Sequence, residues 1–464
     1  EASQKVWQKT KKWLTFLSDL STRQVDRCCL KTWKRKEAMK EINFKINLEN
    51  EYHNFNQFEA KLIKGIREKV CEQIVQFLEE WDQELGTRLR QHYPQYRHKG
   101  YIHRQVRCYF GVIGIKMRRY VHKGWPDIYP LLFILPEDGI SGELMDLMLE
   151  LVTDVPYQRT NRYIKKATGV AISSQTIWRK VKRLGQDERD RQEQIRCKIF
   201  EEGGDDYCQD YRQLPACQSG GKESDLVSPV YIELDGTMVS SREAGEERFE
   251  IKSGIMYSQV VQMGEKRRRL MDKVAYGSVS DSETFGENFY AFCRENGLDL
   301  RREILFLSDG AQWLNSVAED VFPESQKRLD LYHLKKACGI VLDEQELNTL
   351  SQAVYYKTGE EIIRLVQNLC SRKNLSGKSV DELMQYLGNN QKAIEYPPGE
   401  RHGSGGIEKN IGILVGRRFK RQGMSLTAIR QVWSHEGANN LLALRAKKLN
   451  QIWQQESQAL NYTR

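Results

Sequence analysis

Long apolar runs are missing from this 464-residue chain. The longest, such as Ile128 to Pro136, reach about half of the roughly 20 residues a membrane helix needs, which excludes a helical membrane protein. No signal-peptide pattern opens the sequence, so an intracellular protein is expected. Paired cysteines are also missing. The ten Cys include no CxxC spacing, and only Cys28 and Cys29 are adjacent, which excludes an ordinary zinc or disulfide framework and points to reduced, structural thiols. Proline and glycine are scarce, at 10 and 34 residues, and 39% of the chain is hydrophobic; this excludes wholesale disorder and fits a helix-rich globular protein. The length is about three times that of a typical domain, so two to four domains are expected.

Charge of one sign is scarce only locally. The net charge is +9, yet residues 201–350 carry 29 acidic against 17 basic side chains, while residues 1–50, 151–200 and 401–464 carry 12 basic against 6 acidic, 12 against 5 and 11 against 3. A plain nucleic-acid binder places positive charge throughout its contact surface. An acidic centre between basic flanks suits an enzyme that grips a polyanion by its edges and holds metal cations in the middle, and a solvated acidic surface remains the alternative.

Along the chain, Leu62, Ile66, Val70, Ile74, Phe77, Trp81 and Leu85 recur at three- and four-residue steps, which predicts a long amphipathic helix. Residues 1–50 read as helical and basic. The runs Val106 to Phe110 and Ile113 to Met117, parted by Gly111 and interleaved with Arg104, Arg107, Lys116, Arg118 and Arg119, predict a basic hairpin. Residues 142–186 follow a helix-turn-helix pattern, with Gly169 at a helix C′ position and Ser173 or Ser174 as the next N-cap. From Pro156 to Gln186 there are eight Lys and Arg and no acid; Arg159, Arg162, Lys165 and Lys166, then Gln175, Arg179, Lys180, Lys182 and Arg183, stand where a DNA-binding surface needs its donors. A connector helix from Glu188 to Phe200 and a Gly-containing linker, 203–228, follow.

The segment from Val230 then changes character. Val230-Tyr-Ile-Glu-Leu-Asp235-Gly is a strand ending in an acid. Two further strand-like runs, 249–257 and 270–276, complete a three-strand antiparallel meander; a helix from Ser282 to Glu295 precedes a second strand that ends in an acid, Ile304-Leu-Phe-Leu-Ser-Asp309-Gly. A carboxylate at a strand end projects from a rigid edge, and a following glycine leaves room for a ligand. Two such acids repel and raise each other's proton affinity unless a hard cation lies between them. Asp-Gly is also a common turn. A third acid, Glu408, sits on the first turn of a helix that enters through Gly403-Ser-Gly-Gly and runs into Arg417, Arg418, Lys420 and Arg421, a basic end suited to nucleic-acid backbone. A first-turn Glu equally complements a helix dipole.

Together, Arg97-His-Lys-Gly-Tyr101, Tyr231-Ile-Glu-Leu-Asp235-Gly, Phe306-Leu-Ser-Asp309-Gly-Ala-Gln-Trp313, Leu329-Asp-Leu-Tyr-His333-Leu and Gly403-Ser-Gly-Gly-Ile-Glu408 resemble bacterial insertion-sequence transposases of the ISLre type, within the DDE group. The resemblance covers roughly residues 55–450. It implies an α/β fold with a ribonuclease-H-like core and mixed sheet, a mainly α-helical N-terminal DNA-binding region and a helical insertion. Residues 1–50 lie outside the match. Taken with the residue patterns, the segments read as 1–90, helical and suited to dimerisation; 91–140, the basic hairpin; 141–202, the helix-turn-helix and connector; 203–228, linker; 229–337, first part of the core; 338–400, helical insertion; and 401–464, the Glu helix and basic tail. The resemblance further implies that Asp235, Asp309 and Glu408 are catalytic and bind two Mg²⁺ (or Mn²⁺) ions, with Asp330 and His333 auxiliary. The insertion contains no Trp, so base stacking falls to Tyr355 or Tyr356. The implied activity is Mg-dependent phosphodiester hydrolysis and strand transfer on terminal inverted repeats and target DNA, by a homodimer or larger assembly in the bacterial cytoplasm. A DNA-binding regulator that no longer cuts, or a structure-selective nuclease on the same core, is the alternative. Trp313, Trp433 and Trp453 read as packing anchors, His402 and His435 as flanking histidines, and Lys420, Arg421 and Arg445 as phosphate contacts.

Overall fold

The computed structural model describes residues 54–203, 229–265, 267–396, 405–420 and 432–461. The readings on residues 1–50, on nearly all of the linker, on His402 and on Arg421 lie outside these described residues. The chain forms two compact units: one runs to Leu151 and takes in Tyr157–Ser174, and the other comprises Val152–Pro156 and the chain from Gln175 onward. No helix among the described residues is long and apolar enough to cross a membrane.

In the first unit, helix α1 (Phe55–His92) starts at Asn54, whose side chain accepts a hydrogen bond from Gln57 N at 3.0 Å. Of the expected stripe only Leu85 is buried, joined by Leu78, which lies outside it, while Phe77 is exposed. Strands β1 (Arg97–Cys108) and β2 (Gly111–Val121) pair antiparallel, longer than the sequence suggested, with Cys108 opposite Gly111. Their inner face, Val106, Ile113, Ile115 and Met117, forms one core with Leu78, Leu85, Leu131 and Leu135. Helices α2 (Gly142–Val152) and α3 (Tyr157–Thr168) follow, the latter closed by Gly169 at φ +77°.

The second unit begins its main helix, α4 (Ser174–Phe200), where a recognition helix was expected. This single 27-residue helix also absorbs the expected separate connector. It lies almost wholly in the second unit while α3 lies in the first, so the two halves of the expected helix-turn-helix belong to different units.

The sheet is built from β3 (Val230–Ser240), β4 (Arg248–Tyr257), β7 (Val274–Ser278), β8 (Ile304–Ser308) and β9 (Gln326–Leu329), in spatial order β7-β4-β3-β8-β9. The strands β7, β4 and β3 run antiparallel to their neighbours, and β3, β8 and β9 run parallel. The expected run 270–276 is broken at Asp272, held at φ +50°. A separate two-stranded sheet, β5 (Gln259–Gly264) with β6 (Arg267–Met271), grows out at this point. Helices α5 (Ser282–Glu295) and α6 (Gln312–Val321) cover one face, packing Phe285, Phe289, Leu314 and Val317 on Ile232, Leu234 and Phe306.

Helices α7 (Leu331–Cys338), α8 (Glu344–Ala353), α9 (Gly359–Arg372) and α10 (Lys378–Asn389) build the insertion, whose core includes Leu334, Leu350, Val366 and Leu387 and reaches back to Leu329 of β9. Capping boxes Asp343/Glu346 and Thr358/Glu361 start α8 and α9. Helix α11 (Gly405–Ile411) continues through a π-helical turn, Gly412–Gly416, into Arg417–Phe419. The last helix, α12 (His435–Asn461), lies along the edge strand β7. There Asn450 accepts from Ala275 N at 2.8 Å and donates to Ala275 O at 2.9 Å, so side-chain amide groups close an edge that would otherwise offer unpaired backbone.

Candidate active site

Strand geometry sets the first two acids. In the parallel pair β3/β8, Val230 faces Ile304 and Glu233 faces Leu307. Asp235 does not end its strand as expected: β3 runs on to Ser240, and Asp235 is paired with Ser253 inside the sheet. The same offset of 74 positions carries Asp235 level with Asp309, which lies just past the C-terminal end of β8. Alternation along β3 sends Ile232 and Leu234 into the core under α5, leaving Tyr231, Glu233 and Asp235 on the opposite face.

Asp235 accepts from Gly236 N at 2.6 Å and is half-buried. Its carboxyl is pushed up to about 6, chiefly by burial; the negative charges of Asp309 and Glu408 add to the rise, while the Gly236 N–H and His333 oppose it. Four segments far apart in sequence thus act on one carboxyl group. Asp309 lies on a tight turn: its Oδ1 accepts from Ala311 N at 2.9 Å, and Gly310 takes φ +84°. The insertion clamps this turn. Tyr386 of α10 donates its hydroxyl to Asp309 O at 2.6 Å, and Asn390 donates to Gly310 O at 3.3 Å.

Glu408 is placed by a residue that sequence reasoning missed. Glu233 is fully buried on β3, two positions before Asp235, and accepts from Ile407 N at 2.7 Å and from the Tyr257 hydroxyl at 2.7 Å. Burial pushes its carboxyl up to about 8, and the nearby Asp330 adds to the rise. Gly406 is required beside it, because a Cβ there would stand 2.5 Å from Glu233 Oε1. Glu233 therefore pins the start of α11 to β3, and Glu408, one residue beyond Ile407, is brought toward Asp235 with its side chain exposed. The signal lay in Tyr-Ile-Glu-Leu-Asp: an acid inside an apolar strand demands a partner, but the partner is 174 positions away.

The Asp-x-x-His spacing divides its labour. Asp330 is buried and caps α7, accepting from Tyr332 N at 2.9 Å while its own N–H donates to Ser308 O at 2.9 Å. His333, within the first turn of α7, is the member of the pair whose charge acts on Asp235. Among the described residues, no three His, Cys, Asp or Glu side chains are gathered closely enough to form a cation shell. The carboxylates of Asp235, Asp309 and Glu408 are neighbours through their fields, and as hard oxygen donors they match Mg²⁺ or Mn²⁺ in chemistry.

The basic residues separate into groups. Arg159, Arg162, Lys165 and Lys166 are exposed on α3; Gln175, Arg179, Lys182 and Arg183 are exposed on α4, with Lys180 half-buried and Lys182 paired to Glu436 at 3.1 Å. Arg417 and Lys420 are exposed, and Lys420 donates to Thr237 of β3. Two expected nucleic-acid contacts are corrected. Arg418 is buried, donating to Val152 O at 3.1 Å and lying 4.8 Å from the centre of the Trp433 ring. Arg445 is also buried, donating to Leu414 O at 2.7 Å and to Ile413 O, carbonyls of the π-helical turn, and pairing with Asp154. Both guanidinium groups hold the segment behind Glu408 from inside. Of the Trp side chains, Trp433 is buried against Phe419 at 4.7 Å and Trp313 packs on the α5 core. His435 pairs with Glu246 at 2.8 Å.

No protein-family model matches the chain, and no curated protein matches it.

Proposed function

We propose that this chain is a metal-dependent DNA transposase of the DDE type, cutting phosphodiesters at transposon ends and joining the freed 3′ end to target DNA. The observation that carries the reading is geometric: the β3/β8 register sets Asp235 level with Asp309, and the hydrogen bond from Ile407 N to Glu233 ties the start of the Glu408 helix to the same strand. The sheet order adds support: three antiparallel strands continued by two parallel ones is the arrangement of ribonuclease-H-like cores, with Asp235 on the central strand β3 and Asp309 just past the end of its neighbour β8.

Asp235, Asp309 and Glu408 would hold Mg²⁺ or Mn²⁺, which supplies activation of water and stabilisation of the leaving 3′ oxygen in phosphodiester cleavage. The protein's own part is placement. The interior of β3 holds Asp235, the turn after β8 holds Asp309, the Glu233 pin holds the third acid, and the Tyr386 and Asn390 clamps keep the Asp309 turn from shifting. Lys420 and Arg417, exposed beyond the Glu helix, are positioned to contact DNA phosphates. Two ends processed together require two or more copies of the chain.

The test is a supercoiled plasmid carrying the gene with its natural flanking DNA, incubated with Mg²⁺. Wild type should nick at the element ends. Asp235→Ala, Asp309→Ala and Glu408→Ala should each lose roughly 100-fold or more of that activity while still shifting end DNA in a gel. Cutting with no preference for the ends would replace this reading with a structure-selective nuclease, and binding without any cutting by wild type would replace it with a regulator.

A further inference from the structure

We propose that the outward face of the β1–β2 ribbon is a binding surface for duplex DNA, separate from the helices α3 and α4. The inference rests on the reading above only in taking DNA as the polyanion. From Leu85 to Pro126 the chain has ten Lys and Arg, four of its eight His, and no Asp or Glu. The ribbon has two faces. The inner one is closed by the α1 core. The outer one carries Tyr101, His103, Gln105 and Arg107 on β1, opposite Arg118, Lys116, Gly114 and Val112 on β2.

Not every cation in this stretch is available. Arg118 is held by the buried Asp82 at 3.0 Å, Arg119 by Asp127 at 2.7 Å, and Arg104 by Pro136 O at 2.8 Å. Arg107 and Lys116 form no ion pair among the described residues, and both stand on the outer face; Lys116 and His103 are exposed, while Arg107 is half-exposed. Evolving a positive face with no acid opposite it serves a polyanion better than it serves folding, since like charges on one ribbon face repel.

The shape selects a duplex. Two paired strands about 4.8 Å apart fit the major groove, which is about 12 Å wide. The middle of the face is open at Gly114, where nothing lies within 4 Å of a Cβ placed there, so the backbone itself can approach a surface closely. A single-strand binder would offer open aromatic platforms for bases. The outward Tyr101 ring has Lys116 Nζ at 4.4 Å from its centre, and it is exposed, as are Tyr109 and Phe110 at the turn, so single strand is compared with duplex in the test.

The test uses the full chain and fluorescence anisotropy on a labelled 25-base-pair duplex of random sequence, in EDTA, over a range of salt. Arg107→Glu/Lys116→Glu should weaken binding about tenfold or more near 0.1 M salt and flatten the plot of log K against log salt by roughly two. Lys357→Glu/Arg364→Glu, an equal charge change on the insertion, should move neither quantity comparably. Arg107→Gln/Lys116→Gln should fall between wild type and the reversal, and circular dichroism melts show whether each variant is folded. Unchanged affinity and slope in folded reversal and Gln variants would overturn the proposal. So would equal losses in the insertion control, tighter ribbon-dependent binding of the single strand than of the duplex, or a change in sedimentation showing that the face joins two copies. Wild type that binds duplex through the ribbon yet never nicks the plasmid would sink the catalytic reading and leave this one standing.

Discussion

Glu233 is the residue on which the site's geometry turns, and its chemistry has a measurable sign. Its carboxyl lies at about 8 in the folded protein against an ordinary 4.5, so the folded state holds the proton more tightly than the unfolded state. The stability this confers is full below about 4.5 and is lost as pH rises through about 8. Glu233→Gln keeps an acceptor for Ile407 N but has no proton to lose. The stability of wild type relative to Glu233→Gln, from denaturant melts, should therefore fall steadily across that window; a flat difference would show that the buried acid does not titrate there. Glu233→Ala leaves the Ile407 N–H without its partner, which costs about 1–3 kcal/mol. It should also reduce nicking more than it reduces DNA binding, because the loss falls on the placement of Glu408. Asp235 and Asp309 were legible as acids followed by glycine on apolar strands, although Asp235 lies within β3 and not at its end, whereas Glu233 was not legible: its meaning depends on a helix start 174 positions further on.

At the scale of elements, what sequence could show was periodicity with local punctuation. The helix from Ser282 to Glu295 and the strand from Ile304 to Ser308 emerge with the expected bounds, because Asp281 caps the one and the other is an unbroken apolar run. The long helix α4 was read as two, since Gly185 and the charges after it resemble a stop. Its Gly is there for another reason: a Cβ at position 185 would stand 2.6 Å from Asn440 Cβ and overlap the Asn440 carbonyl on α12. The two effects of Gly185→Ala have opposite signs. Helix propensity alone favours Ala by up to about 1 kcal/mol, while forcing apart a packed helix crossing costs about 1–3 kcal/mol. The crossing should win, and a thermal melt of Gly185→Ala should shift downward; an upward shift would mean that α4 and α12 are not packed at this point. Arg418 and Arg445 were misread for a related reason. A basic residue after a catalytic-type helix looks like a phosphate contact until the π-helical turn and its exposed carbonyls are known.

For the molecule as a whole, if the chain acts as proposed, the uneven charge separates cutting from binding. The acidic stretch 201–350 supplies Asp235 on the central strand and Asp309 just past β8, while the exposed cations of β1, β2, α3 and α4 come from outside it. A DNA phosphate approaching the acids in chelator meets repulsion from Asp309 and Glu408, and from Asp235 once it is ionised above about 6. On the proposed function, binding then depends on the basic residues and not on the acids. Asp235→Asn/Asp309→Asn removes two negative charges with almost no change of shape. In EDTA at pH 7.5 this variant should bind end DNA as tightly as wild type or several-fold more tightly, and the gain should shrink at high salt, as expected for a purely electrostatic term. In Mg²⁺ the same variant should not nick. Weaker binding in EDTA would mean that the two acids serve DNA contact or local folding rather than chemistry, because removing a repulsive charge cannot otherwise lower affinity for a polyanion.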